Sequence, residues 1–78
     1  MHKPSLNLVQ IGNNLRKMRE NRNLTQLQVV DALGVSYCHY ARIEEGVRGM
    51  SLKMLFQLMA FFDTDANTIL GTAVEGAA

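Results

Sequence analysis

The chain has 78 residues, 47% of them apolar and 19% charged, and a formal net charge of +1; this length allows one domain, and this balance excludes a disordered segment. The single Cys38 excludes an internal disulfide, one Cys with two His falls short of a four-ligand zinc site, and no run approaches the roughly 18–20 apolar residues that span a bilayer. With no basic-then-apolar leader either, the expectation is a small cytoplasmic protein with no cofactor, no metal, no small-molecule ligand and no membrane association.

Leu8, Ile11, Leu15 and Met18 recur at helical spacing and predict a first helix over about 6–22. Arg16, Lys17 and Glu20 lie off that stripe, and Asn23, which tolerates the left-handed conformation, ends it. Thr25 with Gln28 three residues on makes a capping-box pattern. The second helix follows over about 26–33, apolar at Val29, Val30 and Leu33, and Gly34 closes it. Ser36 caps a third helix over about 37–45, closed by Gly46. Two short helices joined only by Gly34-Val35-Ser36 carry the helix-turn-helix signature.

After the loop Val47–Met50, Ser51 caps a fourth helix over about 52–62, and Asp65 caps a short fifth over about 66–70. Residues 71–78 read as a tail that frays. No strand pattern, internal repeat or low-complexity tract is present, so the chain reads as one all-α domain over 1–78, a compact five-helix bundle.

Charge is unevenly placed. Residues 1–22 carry five bases against Glu20, a net +4, and residues 23–78 carry Arg42, Arg48 and Lys53 against six acids, a net −3. Such asymmetry marks either an interaction surface or a solvated helix face. On the third helix, at about 100° per residue, Tyr40 and Ile43 mark the inward side. Cys38, Ala41, Arg42 and Glu45 fall opposite, with Tyr37 and His39 at the flanks. Arg42 suits the paired acceptors of guanine. Cys38 and His39 are adjacent, so they point about 100° apart and do not form a nucleophile–base pair; no catalytic residue is assigned. On the fourth helix Leu52, Leu55, Leu58, Met59 and Phe62 form an expected core stripe. Met54 and Phe61 fall on its other side and, with Ile69 and Leu70, are expected to form a homodimer interface.

The run Ile11-Gly12, Leu15-Arg16, Met18-Arg19-Glu20, Leu24-Thr25-Gln26, Leu33-Gly34-Val35-Ser36, Arg42-Ile43-Glu44, Gly46, Arg48 and Ser51-Leu52 with Leu55 resembles the phage-repressor/Cro group of regulators, the XRE family, over residues 8–70. The resemblance implies a lambda-repressor-like fold, with the third helix in the major groove and the second across the backbone. It implies base contacts from Tyr37, Cys38, His39 and Arg42, and phosphate contacts from Gln26, Ser36 and Arg48. A capping role for Thr25-Gln26 is equally open. It also implies an ion pair between Arg19 and Glu44 joining the first and third helices. Val30, Tyr40 and Met59 are larger than the family's usual residues at those positions, which implies different helix spacing. The implied function is a sequence-specific DNA-binding transcriptional regulator rather than an enzyme. It would bind double-stranded DNA at a palindromic operator as a homodimer, as a repressor or a restriction-modification or phage-type controller. The alternative is a protein-interaction module or antitoxin that kept the fold with little DNA binding, favoured by the small net charge and by Glu45 beside the reading face.

Overall fold

The computed structural model describes the backbone of residues 5–71 and 74–75, and the side chains of 7–71. Five helices follow in chain order: α1 (Leu8–Asn21), α2 (Gln26–Leu33), α3 (Tyr37–Glu45), α4 (Leu52–Phe62) and α5 (Ala66–Leu70). Each start has a side-chain cap. The side chains of Asn7, Thr25, Ser36, Ser51 and Asp65 accept from the amides of Gln10, Gln28, His39, Met54 and Thr68. Thr25 and Gln28 form the full reciprocal capping box, with Thr25 N donating to Gln28 Oε1 at 2.8 Å. Helix ends are equally well marked. Asn23 takes φ 55°, Gly34 φ 68° and Gly46 φ 82°, all left-handed. Such caps satisfy the amides and carbonyls that have no partner within a helix, which matters most where helices are short.

Three further side chains reach across the bundle to the carbonyls at helix ends, and a fourth, Arg19, reaches the connection between α1 and α2. Asn14 Nδ2 donates to Ile69 O at 2.8 Å, and Gln57 Nε2 to Leu33 O at 3.3 Å. Arg22 Nη2 donates to Phe62 O at 2.8 Å, with its guanidinium over the Phe62 ring. Arg19 Nη1 donates to Leu24 O at 2.9 Å. These bonds fix where the helices end relative to one another.

The core is a single cluster: Ile11 and Leu15 from α1, Val29 and Val30 from α2, Tyr40 and Ile43 from α3, Met54, Leu58 and Phe62 from α4, and Ile69 from α5. The larger Val30 and Tyr40 are both accommodated as buried residues. The expected phase of α4 is corrected here. Met54 is buried, while Leu52, placed in the core stripe from the sequence, is 74% exposed. The buried row runs Met54–Leu58–Phe62, and the face is rotated by about 60° from the expected one. Ile69 is also fully buried. Met54 and Ile69 therefore cannot form the expected homodimer interface, because both face the monomer's own core. Phe61 and Leu70 are only partly buried and pack against that core, Phe61 edge-on to Phe62.

Two boundaries also differ. The first helix begins at Leu8 rather than residue 6, because Asn7 caps it. Ser5–Leu6 (β1) instead pairs antiparallel with Val74–Glu75 (β2), with Ser5 opposite Glu75 and Leu6 opposite Val74. Of the expected tail, Gly71 and this two-residue strand are described; its remaining residues lie outside the described residues.

Gly12 sets how closely α1 approaches α3. A Cβ there would collide with the Glu44 carbonyl and come within 2.6 Å of the Ile43 carbonyl. Those are backbone atoms, so relief requires a helix to move. Gly34 differs: its φ of 68° disfavours other residues, but nothing lies within 4 Å of an added Cβ. Gly12→Ala is therefore expected to lower stability by about 3 kcal/mol, the upper part of the overpacking range. Gly34→Ala should cost about 1 kcal/mol, the left-handed penalty alone. Urea unfolding of the two variants checks the order, which reverses if the helices slide apart freely.

Candidate nucleic-acid interface

A buried carboxylate organises the helix-turn-helix unit. Glu44 on α3 is 3% exposed. Arg19 on α1 grips it as a fork, Nε to Oε2 at 2.8 Å and Nη2 to Oε1 at 2.9 Å. Gln26, the first residue of α2, donates its Nε2 to the same Oε1 at 3.0 Å. A carboxylate can only accept, so Gln26 must turn its amide nitrogen inward and its oxygen outward. That oxygen accepts from the Tyr37 hydroxyl at 3.1 Å. One chain of bonds thus runs from the core to the first residue of α3 and ties together α1, α2 and α3. The ion pair implied by the resemblance is present, and Gln26 is its extension.

The residues expected at the outer face of α3 are brought together. Tyr37, Cys38, His39 and Arg42 are all exposed. Tyr37 keeps 46% of its surface in solvent, but its donor proton is engaged by Gln26. Ser36 caps α3 by accepting from His39 N at 3.3 Å, so its hydroxyl has a structural task beside any phosphate contact. Arg48 is exposed in the loop beyond Gly46, away from α3's first turn. One role and one residue are not distinguished in the sequence. Gln26, expected from the resemblance at a phosphate, bridges Glu44 and Tyr37, a role which the capping pattern at Thr25 conceals. Val47 stands 62% exposed beside α3, its amide bonded to Arg42 O at 3.1 Å; an apolar residue just past a closing glycine is the signal that finds it.

The N-terminus of α2 opens beside this face. Thr25 satisfies the amide of Gln28 at 3.1 Å, leaving those of Gln26 and Leu27 at the positive end of the helix. A shallow concavity there is lined by Thr25, Gln26, Leu27 and Tyr37, with Arg19 and Leu24 behind. On α1, Arg16 Nη2 bonds Asn13 at 2.9 Å along the exposed surface. No helix among the described residues is long and apolar enough to cross a membrane.

The family model described as "Helix-turn-helix domain" matches residues 12–74. The chain belongs to that family, as a regulator of the XRE type. Among solved structures it is similar to the restriction-modification controller protein C.AhdI from Aeromonas hydrophila, at 26% identity and a TM-score of 0.74, covering 80% of this chain and 94% of that one. A hypothetical transcription factor, NHTF, from Neisseria shares the fold at 17% identity and a TM-score of 0.75, covering 82% of this chain and 74% of that one. No curated protein matches the sequence.

Burial works to raise the Glu44 pKa, but the hydrogen bonds from its partners, Arg19 foremost, outweigh it and hold the carboxyl below its ordinary value. Burial, and then the neighbouring Glu44 carboxylate, push the Tyr40 phenol far above its usual value, so it stays neutral. The buried Tyr40 hydroxyl meets ordinary hydrogen-bond geometry with no described group. Because the Glu44 pKa is lower folded than unfolded, its stabilisation is complete above the unfolded value of about 4.5 and is lost as pH falls through the folded one. Wild type should therefore lose stability below that pH more steeply than Glu44→Gln, which has no carboxyl to protonate. Removing one partner of a buried pair costs about 3–5 kcal/mol. For a chain with total stability on the order of 4–12 kcal/mol, that is a large share. Urea unfolding at several pH values measures both effects; parallel pH profiles for the two proteins would contradict the first.

Proposed function

We propose that this protein is a sequence-specific DNA-binding transcriptional regulator that places α3 in the major groove and acts by occupying an operator. The observation that carries the reading is the outer face of α3. Arg42 there has no partner among the described residues, and Tyr37 is held in place through Gln26 by the buried Glu44. A major groove about 12 Å wide admits one helix, and an arginine on it matches the paired acceptors of guanine. While the Gln26 side chain, its nitrogen turned to Glu44, positions Tyr37, the N-terminal amides of α2 and Arg48 contact phosphates, with Ser36 at the start of α3 beside them. Such contacts set register and carry no sequence information directly. Cys38 and His39 complete the base-facing turn. Similarity to the restriction-modification controller C.AhdI supports a role as a repressor or controller of that type.

The protein acts as a homodimer on a palindromic site. The face available for pairing is not the one formed by Met54 and Ile69. Leu52 and Phe56, four residues apart on α4, are 74% and 65% exposed, and together they form an apolar strip on the helix that follows the reading unit. Two copies joined there would present two α3 helices to half-sites about 34 Å apart.

Binding to mixed-sequence duplex DNA across a salt series tests the reading. Log affinity should fall linearly with log salt, the slope reporting the phosphate contacts. No measurable binding at low salt would favour the protein-interaction module instead. On the operator selected from a random pool, Arg42→Ala should cost about 1–3 kcal/mol and relax selection at one base position. Arg48→Ala should weaken all sequences alike and reduce the salt slope by about 1. If Arg42→Ala leaves the selected motif unchanged, Arg42 does not read a base. Phe56→Asp should convert a dimer to a monomer in sedimentation; an unchanged mass would place the dimer seam elsewhere.

A further inference from the structure

The polar groups on the outer face of α3 are not equally engaged. Tyr37 commits its proton to Gln26, and an arginine such as Arg42 is charged throughout. His39, in the first turn, is tied down by its backbone alone. Its amide donates to Ser36 Oγ at 3.3 Å. Its imidazole is exposed and has no hydrogen bond or ion pair among the described residues. Imidazole is the side chain that gains and loses its charge between about pH 5 and 8. Neutral, it offers one donor and one acceptor; protonated, it offers two donors and a positive charge.

No neighbour is placed to cancel that charge. On α3 itself Arg42 stands about 60° round the helix from His39, and Glu45 about 120° round. The helices packed against α3 carry further charges. On α1, Arg16 is bonded to Asn13, Arg19 to Glu44, and Arg22 to the carbonyls of Met18 and Phe62. Lys17 and Glu20 of α1, Asp31 of α2 and Lys53 of α4 are exposed, and none makes an ion pair with the imidazole. The chain's formal charge is +1 with its histidines neutral, so a single proton on this face doubles it.

We propose that His39 makes operator binding proton-linked: its imidazolium donates to an acceptor of the DNA, and affinity rises as pH falls through the range in which imidazole titrates. The proposal rests on the DNA-binding reading above and adds a regulatory element to it. A duplex is a polyanion, so it favours the protonated ring over the neutral one. A partner that binds one of two states better shifts the population toward it, and the complex therefore takes up a proton. The gain is complete where the ring is already charged in the free protein and absent where it stays neutral in both. Phosphate oxygens and the acceptors on base edges share the chemistry that an imidazolium recognises. They differ in salt dependence, because neutralising one more phosphate adds about 1 to the salt slope.

The test uses the duplex that wild type selects from a random pool. Affinity is measured between about pH 5.5 and 8 at one salt concentration for wild type, His39→Gln and His2→Gln. His39 is exposed, so its substitution leaves the core intact. Wild type is expected to bind about tenfold more tightly at the low end than at the high end, the value of one charge-assisted hydrogen bond. His39→Gln, which cannot gain the charge, should stay flat near the high-pH affinity of wild type. His2→Gln, which removes the other histidine, should keep the wild-type profile. Salt series at the two ends assign the acceptor: a slope larger by about 1 at low pH assigns a phosphate, and equal slopes assign a base edge. A wild-type affinity independent of pH, a dependence undiminished in His39→Gln, or one lost in His2→Gln overturns the proposal. The DNA-binding reading then still stands on the wild-type salt slope at high pH. A wild-type protein that binds no duplex at either end overturns both.

Discussion

The grip of Arg19 on Glu44 is the constraint from which the rest of the helix-turn-helix geometry follows. Its energetic meaning is easily overstated, since desolvating two charges offsets much of their attraction. What the pair supplies is direction. The carboxylate accepts from three donors on two helices, Arg19 twice and Gln26 once. Being unable to donate, it dictates which end of the Gln26 amide points inward, and that end dictates that Tyr37 donates. A hydrophobic replacement of similar volume could hold α1 against α3 equally well. It would leave Gln26 free to flip and Tyr37 free to swing. The ion pair therefore acts on the exposed first turn of α3 from within the core, through two fixed hydrogen bonds.

That orientation is useful only if α3 sits at one fixed depth. Gly12 provides the depth by letting the carbonyls of Ile43 and Glu44 come closer to α1 than any side chain permits. The carbonyl of Glu44 and its carboxylate are thus both fixed against α1, one by contact and one by the Arg19 fork. Two such constraints on consecutive residues leave α3 little freedom to slide or roll. The remaining helices are secured by side chains that bond distant helix ends, as Arg22 does for α4 and Asn14 for α5. A chain this short has a small apolar core, and these polar ties define positions that packing alone would leave loose.

The helix-turn-helix unit was legible in the sequence because its signals are local. Thr25 with Gln28, Ser36 and Gly46 act within a turn of themselves, and each appears in the structure where it was expected. The ion pair came with the family resemblance, as a residue-by-residue expectation. What was not legible depends on neighbours far along the chain. Helix α4 is apolar nearly all round, so Leu58 and Phe62 fit a stripe completed by Leu52, Leu55 and Met59 as well as one completed by Met54. Contact with the rest of the core selects the second. The pairing of Ser5–Leu6 with Val74–Glu75 is invisible for the same reason, since two residues carry no alternation to detect. The bridging role of Gln26 was hidden because the capping pattern explained the same residues sufficiently.

The near-neutral charge of the chain bears directly on how the proposed recognition works. A strongly basic regulator gains most of its affinity from phosphates, irrespective of sequence. Here the formal charge is +1, and Glu45 stands on the same face as Arg42. A carboxylate in that place weakens every complex in which α3 meets only the backbone. It is tolerated where α3 reaches base edges, and there a donor such as the N4 amine of cytosine can bond it. Discrimination then comes from penalising wrong complexes as much as from rewarding the right one. This strategy requires α3 itself to be held rigidly, because a helix free to roll would carry Arg42 to a phosphate and restore the indiscriminate binding that Glu45 opposes. The bond chain from Glu44 through Gln26 to Tyr37, together with the close contact at Gly12, supplies that rigidity.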